Sequence, residues 1–368
     1  MHTSHQVLFG PAQQTLSALP DSSVELVVTS PPYPMIDMWD ESFVAQDERI
    51  GRALASANAE QAFTLMHDVM DQVWQQVVRL VRPGGFVCIN IGDATRTLGD
   101  SFRLYSNHSR IIQFFLQNGF QNLPNIIWRK PTNAPNKFMG SGMLPAGAYV
   151  TLEHEYILIF RKGGKRVFSR EADKQRRCES AFFWEERNQW FSDVWEFRGT
   201  GQKLSTGLAR ERSGAYPFEL PYRLINMFSL RGDTVLDPFV GAGTTTLAAI
   251  ASERNSLGCE REPSFEQAIG DTIGEDKAAL LNKVISNRLA AHRSFIDTRL
   301  MQDYAFKHSN EHFQFPVMTS QETQLKLHYL TAIEQVERGR WQATYTTETE
   351  VPTSYKPIRR QTGQLSVF

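Results

Sequence analysis

The sequence predicts an α/β fold in which helices cover both faces of a mostly parallel sheet. Three observations carry this reading. Short apolar runs alternate with stretches of helical periodicity, a helix, glycine turn and strand occupy 65–91, and a strand, glycine turn, helix and strand occupy 234–259. The run 24–29 (VELVVT) has strand length and stops at Pro31 and Pro32. Apolar residues recur at helical spacing over 65–81; Pro83, Gly84 and Gly85 form the stop, and 86–91 follows as a strand. Residues 111–117 read as a helix closed at Gly119. Residues 125–128 and 156–160 read as strands flanking a Pro-, Gly- and Asn-rich loop at 131–147. Periodicity fades until the helix 220–228. Strand 234–239, turn 241–243, helix 244–252 and strand 256–259 then complete the second unit. A helix is expected from about 276 to 303, and a polar, mobile tail from Pro352.

At 368 residues the chain has room for two or three domains and a large core. Hydrophobic residues are 41% and charged residues 21%, a soluble globular composition that excludes wholesale disorder. No apolar stretch is long enough to span a bilayer, and residues 1–10 lack the features of a secretory signal, so a cytoplasmic protein without a membrane partner is expected. Cys88, Cys178 and Cys259 are widely separated and odd in number, which suits buried thiols rather than a disulfide framework. Nine scattered histidines form no HExxH, and there is no GxSxG, so neither a metal site nor a hydrolase is expected. The charge balance, 39 basic against 40 acidic residues, announces no partner, but 161–177 holds eight basic and two acidic residues. That cluster reads either as a solvated loop or as phosphate-neutralising surface.

Two motifs carry chemistry. In DPFVGAGTTT, residues 237–246, glycines at 241 and 243 permit a sharp turn and close ligand approach, and the free amides of the following helix favour electronegative groups. Thr246 stands where a dinucleotide fingerprint requires its third glycine, which disfavours a dehydrogenase. Glu260, ending the next strand, is placed to accept bonds from ribose hydroxyls. In TSPPY, residues 29–33, two prolines remove two amide donors and leave the Ser30 hydroxyl and backbone carbonyls as an acceptor-rich corner. Such a corner suits an exocyclic amino group, and Tyr33 could stack on the attached base.

The pairing of these motifs, TSPPY before FVGAG, resembles the beta-group DNA amino methyltransferases of bacterial type II restriction-modification systems. The segments LPDSSVELVVTSPPY (19–33), VRPGGFVCINIGD (81–93), HEYILIFRK (154–162) and FELPYRLINMFS (218–229) follow that family's arrangement, so the resemblance covers roughly 6–270. It implies a seven-stranded, mostly parallel, Rossmann-like sheet with circularly permuted motif order. It also implies a cofactor, S-adenosyl-L-methionine, held by Asp237, Phe239, Gly241, Gly243, Thr244 and Glu260, and a catalytic element of Ser30, Pro31, Pro32 and Tyr33. Ser at the first motif position implies N4 of cytosine as target, giving N4-methylcytosine by base flipping and direct transfer, with adenine N6 as the alternative. The partners implied are double-stranded DNA and a cognate restriction endonuclease; a non-catalytic DNA-binding regulator is a rival of another class. Many relatives carry Gly-Asp after the first strand, whereas Gly10 here precedes Pro11.

The resemblance divides the chain into a catalytic half (1–162), a target-recognition segment (163–213), a cofactor-binding half (214–274) and a helical C-terminal extension (275–368) that is either a second recognition element or a packing element. Lys165, Arg166, Arg170, Arg176 and Arg177 are the candidates for DNA contact.

Overall fold

A computed structural model describes residues 1–130, 143–147, 149–197 and 216–346. In chain order its strands are β1 His2–Phe9, β2 Val24–Thr29, β3 Val81–Ile91, β4 Ala94–Leu98, β5 Ser101–Tyr105, β6 Phe120–Asn122, β7 Ile126–Arg129, β8 His154–Lys162, β9 Val194–Glu196, β10 Thr234–Asp237, β11 Asn255–Glu260, β12 His308–Ser309, β13 Pro316–Val317, β14 Leu330–Glu337 and β15 Arg340–Tyr345. All six strands read from the sequence coincide with or overlap one of these.

Eleven of the described strands form one sheet in the order β14-β15-β1-β11-β10-β2-β3-β8-β7-β9, with β6 paired to β8. Strands β1, β11, β10, β2 and β3 are parallel, while β8 is antiparallel to β3. The helix Ala59–Leu80 carries the chain from β2 to β3, and the helix Thr244–Ala251 carries it from β10 to β11. These crossovers diverge from the neighbouring pair β2 and β10. Their carboxyl ends therefore flank a topological switch point, the place where an open α/β sheet has a crevice for ligands.

Burial explains the elements. On the helix Ala59–Leu80, Leu65, Met66, Val69, Met70, Val73, Trp74 and Val77 recur three and four apart and are buried; the Asn58 side chain accepts from the Gln61 amide at 3.2 Å to cap its start. Strand alternation feeds two cores. Val27, Val87, Leu158 and Phe160 join Trp74 on one face, whereas Leu26, Val28, Cys88, Ile157 and Ile159 join Leu220, Leu224 and Ile250 on the other.

Three expectations need correction. The sheet has eleven strands rather than seven, because short β6 and β9 and the C-terminal pair β14 and β15 extend it. Among the described residues after 275 the α-helix is Lys277–Met301; β15 then pairs antiparallel with β1 and puts Trp341, Ala343 and Tyr345 into the core. The cause is visible in RWQATY, whose apolar residues alternate with period two. Lastly, Pro83, Gly84 and Gly85 lie within β3. Val24 pairs with Val81 but Leu26 with Phe86, so Arg82 to Gly85 bulge out of register. A Cβ at Gly85 would lie 2.9 Å from the Glu25 carbonyl oxygen, which is why glycine stands there. The tail from Pro352 and most of the loop 131–147 lie outside the described residues.

Trp341→Ala should lower the unfolding free energy by about 3–5 kcal/mol, read by urea denaturation, because it empties the contact that holds β15 on β1. A second expectation concerns pH. Burial pushes His5 and His67 from their ordinary 6.5 down to about 3, so the folded chain keeps both neutral where the unfolded chain takes up protons. Their contribution is complete above pH 6.5 and is lost as pH falls toward 3, at up to about 1.4 kcal/mol per pH unit for each histidine. Denaturation midpoints measured at pH 7 and pH 5 check the sign.

Candidate active site

At the switch point a cleft opens between the carboxyl ends of the parallel strands. Ser30 and Pro32 line it from beyond β2, Asp237, Phe239, Gly241 and Thr244 from beyond β10, Glu260 from the end of β11, and Pro11 and Gln13 from beyond β1. Trp39, Val73 and Phe265 give it apolar walls. Two motifs some two hundred residues apart thus share one cavity.

The glycine turn is locked from below. Gly241 and Gly243 have φ of 55° and 92°, conformations that a side chain resists. A Cβ at Gly241 would meet no atom within 4 Å, so this stretch of backbone is bare toward open space. Glu260 ties the turn to β11, accepting from the Gly241 amide through Oε2 and from the Glu262 amide through Oε1, each at 2.9 Å. A Cβ at Gly258 would sit 2.1 Å from Val240 Cγ2, so only glycine lets the turn pack on β11.

Asp237 is the fully buried hub. Its carboxylate accepts from Thr29 Oγ1 at 2.6 Å, Thr245 Oγ1 at 2.5 Å, the Phe239 amide at 3.0 Å and the Tyr216 hydroxyl at 3.4 Å. Burial raises its pKa above the ordinary carboxylate value, and these donors hold the rise back. The hub links the end of β2 to the end of β10 and to the helix Thr244–Ala251, so the geometry of the SPPY element depends on it.

Beside the cleft a polar chain leads away from Ser30. Ser30 Oγ lies 3.1 Å from the Tyr33 hydroxyl, which donates to Glu155 Oε2 at 2.9 Å, and Glu155 is ion-paired with Lys130. Asn90 Nδ2 donates to Glu155 Oε2 at 2.6 Å and to the Tyr33 hydroxyl at 2.9 Å, and lies 3.5 Å from Ser30 Oγ. Asn90 Oδ1 is buried with no hydrogen-bond partner among the described residues. The Tyr33 ring rests on Gly92, where a Cβ would come within 3.0 Å of it. Burial first, and the Glu155 charge second, raise the Tyr33 pKa well above its ordinary value, so it stays protonated. The Tyr33 hydroxyl is therefore committed to a hydrogen-bonded chain, while the residue as a whole stays half-buried.

The predicted residues divide into two groups. Ser30, Pro32, Asp237, Phe239, Gly241, Thr244 and Glu260 meet at the cleft, with Pro31 and Tyr33 adjoining through Ser30 and Gly243 holding the turn. Lys165, Arg166, Arg170, Arg176 and Arg177 do not join them, because β8 delivers the chain to the amino ends of the parallel strands. There Arg166 and Arg176 pair with Asp233 and Arg170 with Asp173. Lys130, Asn90, Glu155, Trp39 and Tyr216 escaped the sequence reading. A signal existed for Asn90, a polar residue interrupting the apolar run 86–91, and for Glu155, an acid heading an apolar strand.

The family model described as DNA methylase, N6_N4_Mtase, matches residues 24–271. The chain is 47% identical over 347 residues to the type II methyltransferase M.MthZI of Methanothermobacter thermautotrophicus, covering 94% of this chain and 96% of that one. It is 48% identical over 283 residues to M.MjaI of Methanocaldococcus jannaschii, covering 74% of this chain and 92% of that one. A candidate DNA modification methylase from Thermus thermophilus, solved with S-adenosyl-L-methionine, superposes with a TM-score of 0.57 at 30% identity, covering 73% of this chain and 92% of that one. The cytosine-N4-specific PvuII DNA methyltransferase shares the fold, with a TM-score of 0.53 at 16% identity over 78% of this chain and 93% of that one. With the catalytic and glycine motifs converging on one cleft and the family model spanning most of the sheet, the chain belongs to the N6/N4 DNA methylase family.

Proposed function

We propose that the chain transfers a methyl group from S-adenosyl-L-methionine to the N4 amino group of cytosine in double-stranded DNA, as the modifying partner of a cognate restriction endonuclease. The observation that carries this is the shared cleft, lined on one side by Ser30 and Pro32 of the SPPY corner and on the other by Phe239, Gly241 and Thr244 of the glycine turn. Type II methyltransferases among the relatives support the restriction-modification setting. Ser30 at the first motif position supports cytosine, in line with the resemblance drawn from the sequence.

The residues present fit the cofactor. Bare backbone at Gly241, the Phe239 and Trp39 walls and the carboxylates of Asp237 and Glu260 offer an aromatic and acidic cradle for an adenosyl group and a cationic amino acid. When bound, S-adenosyl-L-methionine supplies an electrophilic methyl group. The chain supplies orientation and a path for the proton. Glu155 accepts the Tyr33 O–H, and Tyr33 in turn accepts the Ser30 O–H, which leaves the lone pairs of Ser30 Oγ directed away from the chain and able to accept an amino hydrogen. Holding an amino hydrogen on Ser30 Oγ turns the nitrogen lone pair toward the electrophile. The proton that the nitrogen gives up passes to Ser30, the Ser30 proton to Tyr33, and the Tyr33 proton to Glu155. No thiol takes part: Cys88 and Cys259 are buried, and burial raises both pKa values, that of Cys259 to about 12. A duplex base reaches this recessed corner only by leaving the stack, at a cost of about a few kcal/mol.

Labelled methyl transfer to plasmid DNA, followed by mass spectrometry of the nucleosides, should give N4-methylcytosine; N6-methyladenine would overturn the base assignment. Ser30→Ala should lower kcat by about 10- to 100-fold with cofactor affinity unchanged, and full activity would remove Ser30 from the mechanism. Glu155→Gln keeps the shape but lacks the charge that receives the proton. Its kcat should fall by about tenfold or more with KM for DNA little altered, measured by steady-state transfer.

A further inference from the structure

A second groove lies at the opposite edge of the sheet. Glu25, at the amino end of β2, and Gly85 and Phe86, at the bulge of β3 beside it, line it, whereas Ser30 lies beyond the carboxyl end of β2. About 20 Å of strand separates the two openings. The cations of this groove are of two kinds. Arg82 is neutralised by Glu25 at 2.8 Å and Arg166 by Asp233 at 2.5 Å. Arg161, Lys165, Arg177 and Arg187 line the groove with no acidic partner among the described residues.

Lys165 is exposed, and the three arginines rest on neutral groups. Arg161 donates to neutral oxygens, Gln121 Oε1 at 2.5 Å and the Gly163 carbonyl at 3.2 Å. The Arg177 guanidinium lies over the Phe168 ring at 5.0 Å and that of Arg187 over the Phe191 ring at 5.8 Å. Nearby acids are already engaged. Glu171 pairs with Lys174, Asp173 with Arg170 and Arg176, and Glu179 with Lys326. Glu322 also lines the groove, its carboxylate taken up by the Trp184 and Thr319 amides, so in a chain of net charge −1 the groove keeps a local excess of positive charge.

We propose that this groove binds the sugar–phosphate backbone of a second DNA segment, distinct from the one presented to the active site. The inference rests on the reading that the substrate is DNA. Charge complementarity identifies the occupant: guanidinium groups braced on rings match phosphates in geometry and charge, and DNA is the polyanion that the enzyme engages. The position identifies the segment as a second one. A duplex delivering a base to the carboxyl edge does not run along the amino edge of the same sheet. Two-segment binding would hold the enzyme on long DNA between encounters with its site.

The test uses the full chain and a variant carrying Arg161→Gln, Lys165→Gln, Arg177→Gln and Arg187→Gln, with the exposed pair Lys165→Gln, Arg187→Gln as a milder version should the first fold poorly. Sedimentation with a random-sequence 16-bp duplex at low salt should give two duplexes per native chain and one per fourfold variant. The slope of log affinity against log salt should be shallower by about 3 to 4 in the fourfold variant and by about half that in the pair, at roughly 0.9 for each phosphate no longer neutralised. The kcat for methyl transfer at saturating plasmid should be unchanged. One duplex per native chain, an unaltered salt slope in both variants, or a kcat that falls with the charges would each overturn the proposal. An inactive native chain would overturn the methyl-transfer reading instead, and the duplex count would still decide the groove.

Discussion

The buried hydrogen bond from Thr29 Oγ1 to Asp237 Oδ1, 2.6 Å at the carboxyl ends of β2 and β10, is the constraint on which the site depends. It joins the last residue of β2 to the last residue of β10, the two strands from which the crossovers diverge. Beyond Thr29 the prolines allow one path, so Ser30 is positioned by Thr29; beyond Asp237 the chain enters the glycine turn. A buried carboxylate without donors would cost several kcal/mol, and here four donors from three separate segments meet it. The arrangement therefore forms as a unit or not at all, which is a physical reason for the two motifs to stand in fixed relation.

Precision around this hub comes from close approach as much as from hydrogen bonds. Gly258 admits the turn onto β11, Gly92 admits the Tyr33 ring, and Gly85 admits the bulge of β3 onto Glu25. None of the three has a positive φ in the structure, so conformational freedom is not their purpose; the absence of a side chain is. Glu260 shows the complementary device. Its carboxylate is spent on two backbone amides, so its first duty is to shape the turn that a ligand meets.

The sheet is also polarised. Its carboxyl edge carries the cleft, a chain of hydroxyl and amide groups, and the acids Asp237, Glu260 and Glu155, each met by donors, whereas its amino edge carries cations in excess of their partners. Strand direction creates this separation: β8 is antiparallel to its neighbour β3 and so carries the basic stretch that follows it to the far edge. Strand β9, parallel to β7, returns the chain to the carboxyl edge at Phe197, and the described residues resume at Tyr216, which lines the cleft.

Local pattern determined a great deal. The strand runs, the helical repeat of 65–81 and both chemical motifs are written in residues adjacent along the chain, because period, proline and glycine act within a few residues. The same alternation was present in RWQATY, yet a two-stranded addition at the C-terminus has no local mark of which strand it will pair with. Only the tertiary structure decided that β15 covers β1, that Asn90, Glu155 and Lys130 extend the chain from Ser30, and that the basic cluster 161–177 lies away from the catalytic cleft. Each of these depends on where strands sit and which way they run, and pairing partner and direction are set by contacts between residues far apart in sequence, which no local window contains.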